Sequence, residues 1–192
     1  MRTLAIDIGG TKFQMADFDG ETPVRRESRA TDRAGGRDWM LGQIRDLALA
    51  WHRDARFDRC GISFGGPVNF AAQIVTLSTH VGGWKDFRLT DWVRTELGLA
   101  AIMDNDANVG ALGEALYGAG KGCGSVFYMT LSTGIGGGIS KAGDKLCGPL
   151  RAQLRRQITG WSRARIDVAP AARPDDGVLY GALALTRELD KR

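Results

Sequence analysis

Residues 3–18 read TLAIDIGGTKFQMADF. The mostly apolar run TLAIDI stops at Gly9-Gly10, and a second run, KFQMADF, begins at Lys12. A strand, a glycine turn and a strand make a hairpin. Asp19-Gly20 marks the next turn, and residues 23–30 read as a third strand. Outward from this hairpin, residues 36–54 predict a helix. Its Met40, Ile44, Leu47 and Trp51 fall at i, i+4, i+7 and i+11, a single apolar stripe. A strand over 59–64 breaks at Gly65-Gly66-Pro67, and a polar loop holds Ser78 to Trp84. The pattern then predicts a short helix over 89–97 and a strand over 100–103. Asp104-Asn105-Asp106 would cap a helix running to about Tyr117. Beyond the hinge-like GAGKG of 118–122, strands are expected at 124–131, 135–140 and 164–168. Helices are expected at 149–157 and 177–189. Hairpins first and strand–helix alternation afterwards predict an α/β fold with a mixed sheet.

Composition fits this reading and excludes several classes. Of 192 residues, 43% are hydrophobic and 25% charged, as in an ordinary soluble globular protein. No apolar run approaches the ~18 residues of a membrane helix. The opening residues lack the apolar stretch of a secretory leader, so the cytoplasm is the expected compartment and no membrane partner is expected. The net charge of +4 reads as a solvated surface. The densest basic stretch, Arg151 to Arg165, lacks the interleaved aromatics of a base-stacking platform, so no nucleic-acid partner is expected. Cys60, Cys123 and Cys147 are scattered, and the histidines are His52 and His80. That set supports neither a disulfide framework nor a zinc site. Glycine is in excess, 27 residues where average usage gives about 13. The excess is clustered, which reads as tight backbone turns.

Two of those turns carry chemistry: Asp7-Ile8-Gly9-Gly10-Thr11-Lys12 and Ser132-Thr133-Gly134-Ile135-Gly136-Gly137-Gly138. Without side chains in the way, backbone N–H groups can converge on an anion. Thr11, Lys12 and Thr133 can add a hydroxyl or a cation to the same phosphates. Asp7, just before the first turn, is placed to hold Mg²⁺ through water. Neither turn is a Walker A loop or a dinucleotide fingerprint. One such turn alone would read as a plain hairpin; two, one of them led by an Asp, favour phosphate binding. A third element is DNDAN at 104–108, between a strand end and a helix start. A helix cap accounts for one of its polar residues. A carboxylate there, flanked by amides, suits a general base that deprotonates a bound hydroxyl.

In this order the pieces DIGGTK (7–12), GISFGGPVN (61–69), STHVGGW (78–84), DNDAN (104–108), GALGEALYGAGKG (110–122) and STGIGGGIS (132–140) resemble the ROK group of repressors, open reading frames and kinases. The resemblance implies an actin-like ATPase (ribonuclease H-like) fold with mixed sheets. It also implies Mg-ATP-dependent phosphorylation of a hexose at its 6-hydroxyl, with STHVGGW pointing to a glucose-type sugar. On this resemblance Asp106 is the catalytic base and Asn105 holds a neighbouring hydroxyl. Gly65 and Gly66 let the backbone approach the sugar ring. Gly9, Gly10, Thr11 and Lys12 form the first phosphate loop, and Thr133, Gly134, Gly136 and Gly137 the second. Asp7 positions the Mg²⁺.

The resemblance lapses after Ser140, where the family carries a Glu-x-Gly-His segment and a zinc-binding cysteine knuckle. This chain reads KAGDKLCGPLRAQL there. The expectation is an internal deletion in a truncated second lobe, with no zinc. Residues 1–117 would form a small α/β lobe closed by the helix at 177–192, and 118–176 would be the remnant of the nucleotide-binding lobe. Uncovered apolar strands in that remnant would drive self-association into a homo-oligomer or leave the chain marginally stable. Two functions follow: a glucokinase-like enzyme, or a catalytically inactive relic that binds sugar or a partner. A repressor of the same group would carry a winged helix ahead of the first strand, and that reading is disfavoured.

Overall fold

The computed structural model describes residues 1–129, 148–150, 152–153 and 168–191. The three opening strands form as expected: β1 (Arg2–Ile8), β2 (Lys12–Asp19) and β3 (Thr22–Ala30). They are followed by α1 (Gly36–Asp54), β4 (Arg59–Phe64), a small hairpin of β5 (Val68–Asn69) and β6 (Ile74–Val75), and α2 (Leu89–Leu97). Next come β7 (Ala100–Asn105) and α3 (Asp106–Tyr117). Near the end lie α4 (Gly177–Leu185) and a 3-10 helix (Thr186–Lys191).

Five strands make one sheet in the order β3-β2-β1-β4-β7. The β1–β2 and β2–β3 pairs are antiparallel, while β1–β4 and β4–β7 are parallel. The sheet is therefore mixed. Both of its faces are covered, which is why β1 is apolar almost throughout. Leu4, Ile6 and Ile8 join one core with Phe13, Met15, Ile62 and the stripe of α1. Ala5, on the other face of β1, joins Ala16, Phe18, Ile102 and Val109 under Leu179, Ala182 and Leu183 of α4. Gly98, at φ 68°, ends α2 in the left-handed conformation that glycine adopts most easily.

On the α4 face the backbones approach so closely that only glycine fits. A Cβ on Gly181 would overlap the carbonyl of Val109, and one on Gly61 the carbonyl of Ala182. Gly181→Ala therefore forces α3 and α4 apart. We expect a loss of about 3 kcal/mol, at the top of the range for overpacked cores, read by urea denaturation of the two proteins. An unchanged midpoint would mean that the helices separate without cost.

Four expectations need correction or extension. Residues 124–129, expected in a strand, are not in one, and Phe127 is 90% exposed. They pair with no strand among the described residues, and the ring of Tyr128 lies against Gly110 of α3 instead. The helix expected over 177–189 turns into a 3-10 helix at Thr186, whose Oγ1 donates to Leu183 O at 2.7 Å. Such back-bonding competes with the helical pattern and tightens the last turn. β7 extends two residues past the expected 103, and the β5–β6 hairpin was not foreseen. The strand over 135–140, the second glycine turn, Cys147 and most of the expected elements over 149–157 and 164–168 lie outside the described residues; 148–150, 152 and 153 are helical.

The chain leaves α3 and returns to α4 at one side chain. Glu114, 3% exposed, accepts from Ala119 N (2.8 Å), Ala172 N (3.0 Å) and Arg173 N (2.9 Å).

Candidate functional site

The parallel strands β1, β4 and β7 end side by side, and the sequence-predicted Asp7, Gly9, Gly65, Asn105 and Asp106 lie at or just beyond those ends. Ligands commonly bind outside the carboxyl ends of strands in open α/β sheets. The register places Gln14, Asp7, Ser63 and Asp104 in one row across β2, β1, β4 and β7. Ser63 Oγ donates to Asp7 Oδ1 at 2.8 Å. Beyond the row, Gly65 N donates to Ile8 O (2.8 Å), which draws the Gly65-Gly66 turn against the first glycine turn. A Cβ on Gly65 would lie 3.1 Å from Ile8 O, 3.5 Å from Gly9 Cα and 3.7 Å from Asp106 Oδ2. Asp7, Gly9, Gly65 and Asp106 thus share one small region.

The cap of α3 is Asn105 rather than Asp106. Its Oδ1 accepts from Ala107 N at 3.0 Å, and its Nδ2 donates to Gly66 O at 3.0 Å. The amide therefore locks the Gly65-Gly66 turn to the helix start, with one lone pair of its oxygen left over. Asp106 is the first helical residue, and its Oδ1 accepts from Ala107 N at 2.9 Å. Asp104 accepts from Asn105 N (2.7 Å) and Asn108 Nδ2 (3.2 Å).

Burial raises the carboxyl of Asp7 to about 6, against the opposing pull of the Ser63 hydrogen bond; the nearby Asp106 pushes it further up. Burial also raises Asp106, while hydrogen bonds from Ala107 and Asn105 oppose the shift. Two carboxyl groups with raised values beside a glycine turn mark this region as a candidate functional site.

In the first glycine turn, Gly9 N donates to Lys12 O at 3.0 Å. The N–H groups of Gly10 and Thr11 have no hydrogen-bond partner among the described residues. Thr133, Gly134, Gly136 and Gly137 lie outside the described residues.

Sequence reasoning missed several neighbours of this region. Gln14 is buried and its Oε1 has no partner among the described residues. The ring of Tyr128 lies against Gly110 of α3, with Cε1 2.7 Å from where a Cβ would sit. Burial raises its hydroxyl, and so do the charges of Glu114, Asp106 and Asp7. His80, from the 78–84 loop, covers Gly10. A polar residue inside each of two apolar strands, Gln14 and Ser63, was the available signal. A groove of about 480 Å³, lined by Arg26, Tyr117, Arg173 and Asp176 among others, includes none of these residues.

Among the described residues no group of three or more His, Cys, Asp or Glu is disposed to hold a metal. No helix among them is long and apolar enough to cross a membrane.

Residues 3–153 match the model of the ROK family. The chain belongs to the ROK family. It is 34% identical over 151 residues to a glucokinase of Halalkalibacterium halodurans, covering 76% of this chain and 46% of that protein. It is 30% identical to a glucokinase of Thermotoga maritima, covering 77% and 47%. The chain thus spans about half the length of the curated relatives it matches. Among solved structures, the ROK hexokinase of Thermus thermophilus matches at 31% identity with a TM-score of 0.62, over 72% of this chain and 46% of that one. A ROK family glucokinase of Streptomyces griseus, solved with glucose and AMPPNP, matches at a TM-score of 0.82. That alignment covers 98% of this chain and 100% of the other, at 18% identity. The ROK fold, that of the actin-like ATPases, is thereby established for the mixed five-stranded sheet.

Proposed function

We propose that this ROK chain is a glucokinase-like enzyme that moves the γ-phosphoryl group of ATP to the 6-hydroxyl of a glucose-type hexose. The observation that carries the reading is the gathering of Asp106, Asp7 and Gly65 around the first glycine turn. The kinase names of the relatives support it. Asp106 takes the proton of the sugar hydroxyl as that oxygen bonds to the γ-phosphorus and the bond to the β-phosphate oxygen breaks. ADP leaves. Asn105 holds a neighbouring hydroxyl with the hydrogen-bonding capacity its cap leaves over, and Gly65 and Gly66 admit the ring. Gly9, Gly10, Thr11 and Lys12 hold one part of the phosphate chain, and Thr133, Gly134, Gly136 and Gly137 another.

A Mg²⁺ ion fits the donors present. Asp7 offers a carboxylate near Asp106, and hard oxygen ligands working through water suit this ion. When bound, the ion neutralises charge on the transferring phosphates. Residues 1–117 with 177–192 form the sugar-side lobe and 118–176 the shortened remnant of the other.

A coupled assay of the purified chain with Mg-ATP and glucose tests the proposal. Glucose-stimulated ADP release is expected. Its absence in the presence of measurable glucose binding would favour the second reading, a sugar-binding relic, which the half-length match supports. Metal analysis after dialysis is expected to return well under one zinc per chain; a stoichiometric value would contradict the assignment. Light scattering across a concentration series is expected to report self-association, and a sharp monomer would overturn that expectation.

A further inference from the structure

The segment after β3 runs alongside the first glycine turn and ties down its carbonyl groups in sequence. Thr31 Oγ1 donates to Gly9 O at 3.0 Å, Arg33 Nε to Gly10 O at 2.9 Å, and Thr31 N to Thr11 O at 2.9 Å. No peptide among the described residues is cis. In a planar trans peptide the C=O and the N–H of the next residue point in opposite directions. Each tied carbonyl therefore fixes one N–H on the far side: Gly9 O sets the N–H of Gly10, and Gly10 O sets that of Thr11. Those two N–H groups have no partner among the described residues. A Gly-Gly step would otherwise rotate freely, since neither residue has a Cβ to resist it. Arg33 is exposed, and no carboxylate among the described residues lies within ion-pair distance of its guanidinium.

We infer that Arg33 is a positioning residue of the phosphate-donor site: its Nε, held on Gly10 O, aims the Thr11 N–H at a phosphate oxygen, and its charge adds to that of Lys12. This rests on the proposed function in treating the turn as a phosphate site, and it assigns a role to a residue the motif does not contain. The recognised chemistry is a run of linked phosphates, so the effect of Arg33 grows with the number of phosphates in the ligand. The base and sugar of the nucleotide are indifferent to it.

The test uses the full chain and three probes: Mg-ATP, AMP and inorganic tripolyphosphate. Binding is read by calorimetry, and the Thr11 amide by ¹⁵N NMR. Arg33→Ala is expected to weaken ATP and tripolyphosphate about tenfold, the scale of one charge-assisted hydrogen bond. AMP is expected to change less than twofold. Arg33→Lys, whose ammonium can still donate to Gly10 O, is expected to recover most of the loss. In the wild type, tripolyphosphate is expected to shift the Thr11 amide, and in Arg33→Ala the shift is reduced. Equal ATP affinity in wild type and Arg33→Ala would overturn the inference while leaving the phosphate turn in place. An equal loss for AMP and ATP would also overturn it, by showing a general disturbance. If wild type binds neither ATP nor tripolyphosphate and the Thr11 amide stays still, the phosphate-site reading falls and this inference falls with it.

Discussion

Asp106→Asn is expected to cut glucose phosphorylation by about 10²–10⁴-fold, the usual contribution of a positioned general base. The fold should survive. The cap of α3 is Asn105, whose bond to Ala107 N is untouched, and an Asn at 106 still offers an oxygen to the same N–H. A substitution that removes only the proton acceptor should lower kcat and leave the melting temperature within a degree or two. Circular dichroism and the coupled assay on the same preparations read both. Unchanged turnover would reduce Asp106 to a helix-start residue. A collapse of stability would mean that its charge serves the helix dipole rather than the reaction. The raised carboxyl of Asp106 adds a second mark. The base must be ionised to act, so activity should fall on the acid side at a pH above the ordinary carboxylate range.

Asp7→Asn is expected to make the protein more stable at pH 8 and nearly unchanged at pH 4. Asp7 titrates at about 6 in the fold against 3.8 for the unrestrained side chain. The fold therefore prefers the protonated form. Below pH 4 the carboxyl is neutral in both states and costs nothing. As pH rises from about 4 to 6 the unfolded chain ionises first, so the stability contributed by the neutral group is lost, and above 6 the loss is complete. The span from 3.8 to about 6 corresponds to ~3 kcal/mol. Removing the ionisation should recover most of that at pH 8, read by urea denaturation over pH 4–8. Parallel pH profiles for the two proteins would show that Asp7 ionises in the fold without penalty. The gain in stability should accompany a loss of catalysis, the familiar exchange at sites kept charged for function.

Much of the fold was legible because the signals were local. The glycine turn between β1 and β2, the stripe of α1 and the Gly98 stop of α2 are each decided within a few residues. The site was legible because the strands carrying Asp7, Gly65 and Asp106 end at the same edge once they pair in parallel. What stayed hidden depends on partners elsewhere in the chain. Residues 124–129 have the composition of a strand yet stay out of the described sheet, with the Tyr128 ring against Gly110 instead, and composition cannot report such a contact. Thr186 reads as a helix residue until its hydroxyl turns back on Leu183 O. Arg33 looks like one more surface cation in a loop; only the approach of β3 to the first turn shows which carbonyl it holds. Asn105 and Asp106 could each have been the cap, since both offer an oxygen to Ala107 N, and the extended backbone of Asn105, with the helix starting at Asp106, decides between them.

The carboxylate of Glu114 is the knot at which a long excursion begins and ends. One of its oxygens accepts from Ala119 and from Ala172, residues far apart in the chain. With those contacts closing the chain on itself, the closure entropy of what lies between depends only weakly on its length; each doubling costs about 0.6 kcal/mol. Stretches of sequence can therefore be spliced into or out of the region between them while the five-stranded sheet keeps its pairing. A gene that shortens there loses whatever the excised segment did, yet still encodes a foldable base. The same geometry makes this the natural graft point: a peptide or a small domain whose termini lie close together could be inserted between residues 122 and 168 at little cost to β1, β4 and β7.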